Sequence, residues 1–194
     1  MKKAVLISMK PKNVELVLNG YETLEIRKTR PRLETPFKCY IYCTNTRPFL
    51  VWGDVFRGDW VTEFTRLFGY GRAEADRTWD VFNGKVVGEF TCNKVTNLFS
   101  NSRFWLNEDD VLQTCLSAAE IRKYAGGANG LYGWHISDLK IYAQPKPLSA
   151  FKGLCKIKVG CWECPYYNYT KMDCDGRTIK RPPQSWCYVE ELKK

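Results

Sequence analysis

The chain of 194 residues has one histidine and no apolar run near the roughly 20 residues a bilayer-spanning helix requires. Acids are also scarce, with 21 against 30 Lys and Arg, giving a net charge of +9. Gly-x-Ser-x-Gly is absent, so nothing singles out a serine nucleophile to work with His135. Gly69-Tyr70-Gly71-Arg72 is too short for a phosphate loop, and no repeat or low-complexity tract occurs. Nine cysteines are an odd number, which excludes a chain fully paired in internal disulfides. The apolar start Ala4-Val5-Leu6-Ile7 is broken at Ser8 and Lys10 and lacks a small-residue cleavage site, unlike a signal peptide. These absences predict a cytoplasmic protein with no membrane partner.

What is present fits one domain with elaborations. Hydrophobic residues at 44% and aromatics at 14% exclude wholesale disorder. The basic balance favours anionic partners, nucleic acid above all. Lys10 and Lys12, then Arg27, Lys28, Arg30 and Arg32, concentrate this charge in two short stretches. They mark either a cationic binding face or a solvated strand end with a basic turn.

Period and punctuation give the order of elements. Ala4–Met9 reads as an apolar strand and Pro11–Leu18 as a helix, with Pro11 in its first turn and Gly20 just past its end. In the strand Thr23–Arg30, Leu24 and Ile26 take one face while Thr23, Glu25 and Arg27 take the other. That second face is too polar for an ordinary core and lines a cleft. Phe37–Thr44, with Lys38-Cys39-Tyr40-Ile41-Tyr42-Cys43, is a largely buried strand. A turn at Gly84 opens a strand to Cys92, which Val95–Phe99 continues or pairs with. Ser117 and Glu120 have capping-box spacing for a helix ending near Gly126-Gly127. Leu131–Ala143 is a long strand stopped by Pro145-Lys146-Pro147.

Between these, about residues 45–83, regularity falters. Phe56, Trp60, Phe64 and Phe68 recur every four residues, among Arg57, Arg66, Arg72 and Arg77. They form either an amphipathic insertion packed on the rest or a stacking surface for nucleobases.

The run Gly20-Tyr21-Glu22-Thr23-Leu24-Glu25-Ile26-Arg27, following a strand and a Pro-initiated helix, resembles the start of the ASCH domain, of the PUA-like superfamily. That signature reads roughly Gly-x-Lys-Thr-x-Glu-x-Arg; Gly20, Thr23, Glu25 and Arg27 match, and Glu22 replaces the Lys. Gly133-Trp134-His135-Ile136-Ser137-Asp138 and Arg181-Pro182-Pro183-Gln184-Ser185-Trp186 are similar to segments of small bacterial and phage members. The resemblance implies an α+β fold, a PUA-like mixed β-barrel with flanking helices over residues 1–148. Residues 149–194 form a Cys-containing extension.

It also implies a nucleic-acid partner, RNA favoured, or a nucleotide. Lys10, Lys12, Arg27, Lys28, Arg30 and Arg32 would then face phosphate, Glu25 a base or ribose, and Tyr40 or Trp134 an apolar wall. Glu25 and Arg27 act either on the ligand or as an ion pair that organises the cleft. An enzyme acting on RNA or a modified nucleoside is the alternative, with Glu25, His135 and Lys10 as candidate catalytic residues. Relatives resembling acetylcytidine amidohydrolases carry Gly-x-Lys-Thr-x-Thr-x-Arg. Glu22 and Glu25 stand in place of that Lys and second Thr, so nucleophile and activating cation are both missing. His135, flanked by Trp134 and Ile136, either joins the cleft or is a structural histidine. A phage-encoded factor that binds a host protein is a further reading.

Cysteines divide into two groups. Cys39, Cys43, Cys92 and Cys115 are explained as small buried apolar residues. Cys161-Trp162-Glu163-Cys164 is a CxxC knuckle followed by Cys174 and Cys187, with Cys155 ahead of it. Cys161, Cys164, Cys174 and Cys187 supply four ligands for a structural Zn²⁺, in a tail with few aliphatic residues of its own. A tail packed by its aromatic residues instead is the other reading.

Overall fold

The computed structural model describes residues 2–47, 50, 82–100, 103–155, 161–170, 172–174 and 177–192. The aromatic stripe Phe56, Trp60, Phe64 and Phe68 and the Gly69–Arg72 turn lie outside these residues.

A mixed sheet of seven strands dominates: β1 (Lys3–Met9), β2 (Leu24–Arg27), β3 (Phe37–Cys43), β4 (Lys85–Ser100), β5 (Arg103–Phe104), β6 (Leu131–Pro147) and β9 (Trp186–Glu190). The hydrogen-bonded order is β2-β6-β4-β3-β1-β9, with β5 paired to the end of β4. Only β1 and β3 run parallel, so the chain must cross over between them. α1 (Pro11–Leu18) and β2 make that crossover. Two further helices, α2 (Glu108–Gln113) and α3 (Ala118–Ala125), follow β5. A two-stranded ladder, β7 (Tyr167–Asn168) with β8 (Asp173–Cys174), stands apart from the main sheet.

β1 is buried on both faces, which explains its unbroken apolar run. Val5, Ile7 and Met9 join the main core with Cys39, Ile41, Phe90 and Trp134. Ala4 and Leu6 look the other way, into a second cluster with Tyr40, Val86, Phe151 and Val189. On β2, Leu24 and Ile26 pack under α3 against Leu98, Ile121 and Leu131. The sequence alternation in β2 therefore separates an apolar outer face from an inward polar one.

Gly88, on β4, lies where β4 and β6 approach closely: a Cβ there would stand 2.5 Å from the Lys140 carbonyl. Strand β6 continues through Pro145 to Pro147, where a stop was expected. Beyond His135 and Ile136, β6 has β4 on one side and no β2 on the other, so a missing N–H is tolerated there. α2 went unpredicted, although Asn107 and Asp110 form a complete capping box.

The ladder does not close into a barrel: β2 and β9 remain its edges. Side chains bridge the seam instead. Arg27 Nη1 reaches Ser185 Oγ at 3.4 Å, Trp186 Nε1 donates to Thr29 Oγ1 at 2.9 Å, and the Arg32 amide donates to the Tyr188 hydroxyl at 2.7 Å. The last part of the C-terminal extension is thus a strand of the main sheet, paired antiparallel with β1. No described helix is long and apolar enough to cross a membrane.

Candidate functional site

At one end of the seam lies a cavity of about 680 Å³, within the range of ligand pockets. Its walls come from five places in the chain: Ser8 to Asn13, Glu22 to Arg27, Thr44 and Thr46, Leu116 to Tyr124, and Pro182 to Ser185.

Local structure sets each side chain. Gly20 adopts φ +75°, which turns the chain out of α1, and the Tyr21 and Glu22 amides both donate to the Leu16 carbonyl. This turn delivers Glu22 to the cavity. Glu25 and Arg27, two residues apart on β2, share its inward face. The fifth wall is clamped to β1: Ser8 Oγ donates to the Pro183 carbonyl at 2.7 Å, and the Ser8 amide to the Ser185 carbonyl at 2.9 Å.

Glu22, Glu25 and Arg27 are all buried. Arg27 Nε lies 2.8 Å from Glu25 Oε1, and Arg27 Nη2 donates to the Ser8 carbonyl at 2.8 Å. The Nε–Oε1 approach is a close ion pair without an aligned hydrogen bond. Glu22 Oε2 and Glu25 Oε2 also lack hydrogen-bond partners. Buried polar atoms left unpaired cost on the order of 1–3 kcal/mol each.

Burial pushes Glu22 up, to about 11, and the neighbouring Glu25 carboxylate adds to the rise by repulsion and by accepting a hydrogen bond. Cys115 reinforces the rise and Arg27 opposes it. At neutral pH Glu22 is therefore a neutral acid, which both donates and accepts.

Lys10 lines the cavity and is exposed; Lys12 and Lys28 are exposed and do not line it. Lys28 Nζ sits 5.3 Å from the ring centre of Tyr124, itself a lining residue. Arg30 stands over the Tyr132 ring at 5.7 Å, and both Arg30 and Arg32 are exposed without lining the cavity. Glu120, hydrogen-bonded to Ser117, is the acidic member of the rim, with its pKa lowered.

The structure brings Lys10, Glu25 and Arg27 together and leaves other expected residues elsewhere. Tyr40 is fully buried in the second cluster, packed edge-on to Phe151 with its hydroxyl accepting from the Leu192 amide. Trp134 is fully buried in the main core between Phe37 and Trp186, and does not line this cavity. His135 pairs in register with Leu24, not Glu25, so the pleat sends it to the opposite face of β2. There it meets Thr96 Oγ1 at 2.7 Å, and burial, then Lys94, lowers its pKa.

Residues missing from the sequence-based set include Glu22, Asn13, Tyr124 and Gln184. Glu22 carried a signal, as a carboxylate three residues before Glu25 where the family pattern has a cation. The other three had none. Among the tail cysteines, Cys187 belongs to β9, opposite Leu6, and packs in the second apolar cluster. Its partly buried side chain packs against that core because β9 pairs with β1.

No protein-family model matches the chain, and no curated protein does. Solved structures do. The ASCH protein of Zymomonas mobilis superposes with a TM-score of 0.53 at 16% identity, covering 97% of this chain and 88% of that one. A tyrosine-to-phenylalanine variant of that protein gives 0.53 at 16% identity over 98% and 92%. A serine-to-alanine variant gives 0.54 at 15% over 97% and 89%. This chain has the fold of the ASCH domain.

Proposed function

We propose that the cavity binds a nucleotide unit of a nucleic acid, RNA in preference to DNA, with the base inside and the phosphates on the rim. One observation carries the reading: the buried acids Glu22 and Glu25 both line a roomy cavity. With the Glu22 proton held by Glu25, the remaining carboxyl oxygens are acceptors suited to the amino or imino donors of a base. Lys10 on the cavity wall and the exposed Lys12 and Lys28 are the cations suited to phosphate, with Arg30 and Arg32 extending the track. Arg27 has a different part in this reading. Its guanidinium is engaged by Glu25, Ser8 and Ser185, so it holds the pocket's shape rather than reaching for phosphate.

Fluorescence anisotropy with RNA, single-stranded DNA and duplex DNA over a salt series tests this. RNA should bind best. Lys10→Ala with Lys28→Ala should lower the salt slope by ~0.7 for each single-strand phosphate that is no longer neutralised. Binding without salt dependence, or unchanged in the double variant, overturns it.

The raised pKa of Glu22 beside the Glu25 carboxyl group favours a second reading, an enzyme acting on RNA or a modified nucleoside. Glu22 would give a proton and Glu25 take one. Turnover of RNA oligomers or modified nucleosides that disappears in Glu22→Gln and in Glu25→Gln, with binding retained, would establish it.

A further inference from the structure

The cavity wall formed by Pro182 to Ser185 has a basic neighbour in the chain. Lys180 and Arg181, immediately before it, line a second hollow of about 380 Å³ together with Arg177. The segment that carries them is anchored to the main sheet. Thr178 bridges Lys152, the Gly153 amide donates to the Arg177 carbonyl at 2.7 Å, and the Ile179 amide donates to the Phe151 carbonyl at 2.9 Å. Gly153 in turn bridges Val189 of β9, and Arg177 forms an ion pair with Glu190 of the same strand. Arg177 is thereby fixed with little of its side chain exposed, while Lys180 and Arg181 are exposed. Cys155 and Cys174 stand on the same wall without a third described His, Cys, Asp or Glu near enough to complete a metal site, and the Cys161 side chain lies outside the described residues.

The two hollows differ in the charge of their walls. The larger sets Lys10 and Arg27 against Glu22, Glu25 and Glu120, and Arg27 is already held by Glu25. The smaller has Arg177, Lys180 and Arg181 and, among its described lining, no Asp or Glu. Tyr166 and Thr178 add hydroxyl groups there. A phosphate group therefore meets a more favourable potential in the smaller hollow than in the larger one. The two are also close along the chain. Even fully extended, the backbone from Arg181 to Gln184 spans at most about 11 Å. One strand of a few nucleotides reaches both.

We propose that the hollow lined by Arg177, Lys180 and Arg181 is a second subsite, which takes a backbone phosphate of the strand whose base occupies the larger cavity. The proposal rests on the reading that the cavity binds a nucleotide unit, but its residues are separate from that site. Arg181 offers a planar fork to two phosphate oxygens, Lys180 adds a point charge, and Arg177 frames the wall behind them. A mononucleotide fills the cavity alone, whereas a longer strand spans both places. Affinity accordingly depends on strand length.

Anisotropy of a labelled RNA oligomer, competed by a ribonucleoside monophosphate, tests this with the full chain. In Lys180→Ala with Arg181→Ala the oligomer should bind about tenfold more weakly or worse, with a salt slope lower by ~0.7 for each phosphate released. Affinity for the monophosphate should not change. Acylation of lysines in the unmutated chain, read by mass spectrometry, needs no variant: the oligomer should shield Lys180 and the monophosphate leave it reactive. Oligomer affinity unchanged in the double variant, equal losses for both probes, or Lys180 equally reactive with and without the oligomer overturns the subsite and leaves the cavity reading standing. Oligomer binding that depends on Lys180 and Arg181 but not on Lys10 or Lys28 overturns the cavity reading and keeps the hollow as the phosphate-binding site. Failure of both probes to bind the parent overturns both.

Discussion

Arg27 on β2 donates from Nη2 to the carbonyl of Ser8 on β1, 2.8 Å away, although three strands separate β2 from β1 in the sheet order. The same guanidinium also reaches Ser185 beside β9 across the open seam, and it holds Glu25.

Removing Arg27 should therefore be costly in two ways. Arg27→Met leaves Glu25 buried without its counter-charge and removes the links to Ser8 and Ser185. A loss of about 3–5 kcal/mol in denaturant unfolding is expected. Arg27→Lys should recover little, since an ammonium cannot fork toward Glu25, Ser8 and Ser185 together. Combining Arg27→Met with Glu25→Gln should recover much of the loss. An additive double variant would contradict the coupling.

Glu22 sets a pH dependence with a definite sign. Its folded-state pKa is raised from 4.5 to about 11, so across that interval the folded chain holds a proton that the unfolded chain releases. Stability from this group is greatest below pH 4.5 and declines as pH rises above it. Glu22→Gln keeps a neutral side chain that donates to Glu25, and should stabilise the protein at pH 8 by on the order of 2 kcal/mol. The gain should shrink toward pH 4 in thermal melts. An equal gain at both values would refute the protonation state described.

Strand β9 should be indispensable to the fold. Chains ending at Arg181 lose the partner of one edge of β1, the Val189 contribution to the second cluster and one wall of the cavity. They are expected to aggregate or unfold, because β1 would expose an apolar edge. A truncated chain that keeps parent-like near-ultraviolet dichroism would contradict this.

Gly88 offers a packing test away from the site. In Gly88→Ala the new methyl would lie 2.5 Å from the Lys140 carbonyl, backbone against backbone. A loss of about 1–3 kcal/mol is expected as β4 and β6 move apart. Full stability in urea unfolding would show that the strands are less tightly apposed.

How far the sequence revealed this arrangement depended on how local each determinant was. α1 occupies Pro11–Leu18, as Pro11 and Gly20 foretell, and Ser117 caps α3 through Glu120, because caps act within a turn. The alternation of Leu24, Glu25, Ile26 and Arg27 correctly separates the two faces of β2. Which face His135 would occupy was not legible, because that depends on the register of β6 against β2, a non-local property. Tyr40 and Trp134 were misplaced for a related reason: strand periodicity shows that a side chain alternates, not which layer covers it. Pro145 looked like a stop because the sequence does not reveal that β6 lacks a second neighbour there. The pairing of Cys187 with Leu6 was hidden in the same way, because cysteine spacing carries no strand register.

One wall of the pocket, Pro182 to Ser185, is contributed by chain made long after the Lys10, Glu22 and Glu25 that it faces. During synthesis the early strands emerge first, and Arg27 has neither Ser185 nor the β9 seam to meet. The cavity is therefore completed last, once translation has passed Glu190, however early Lys10 and Glu25 become available.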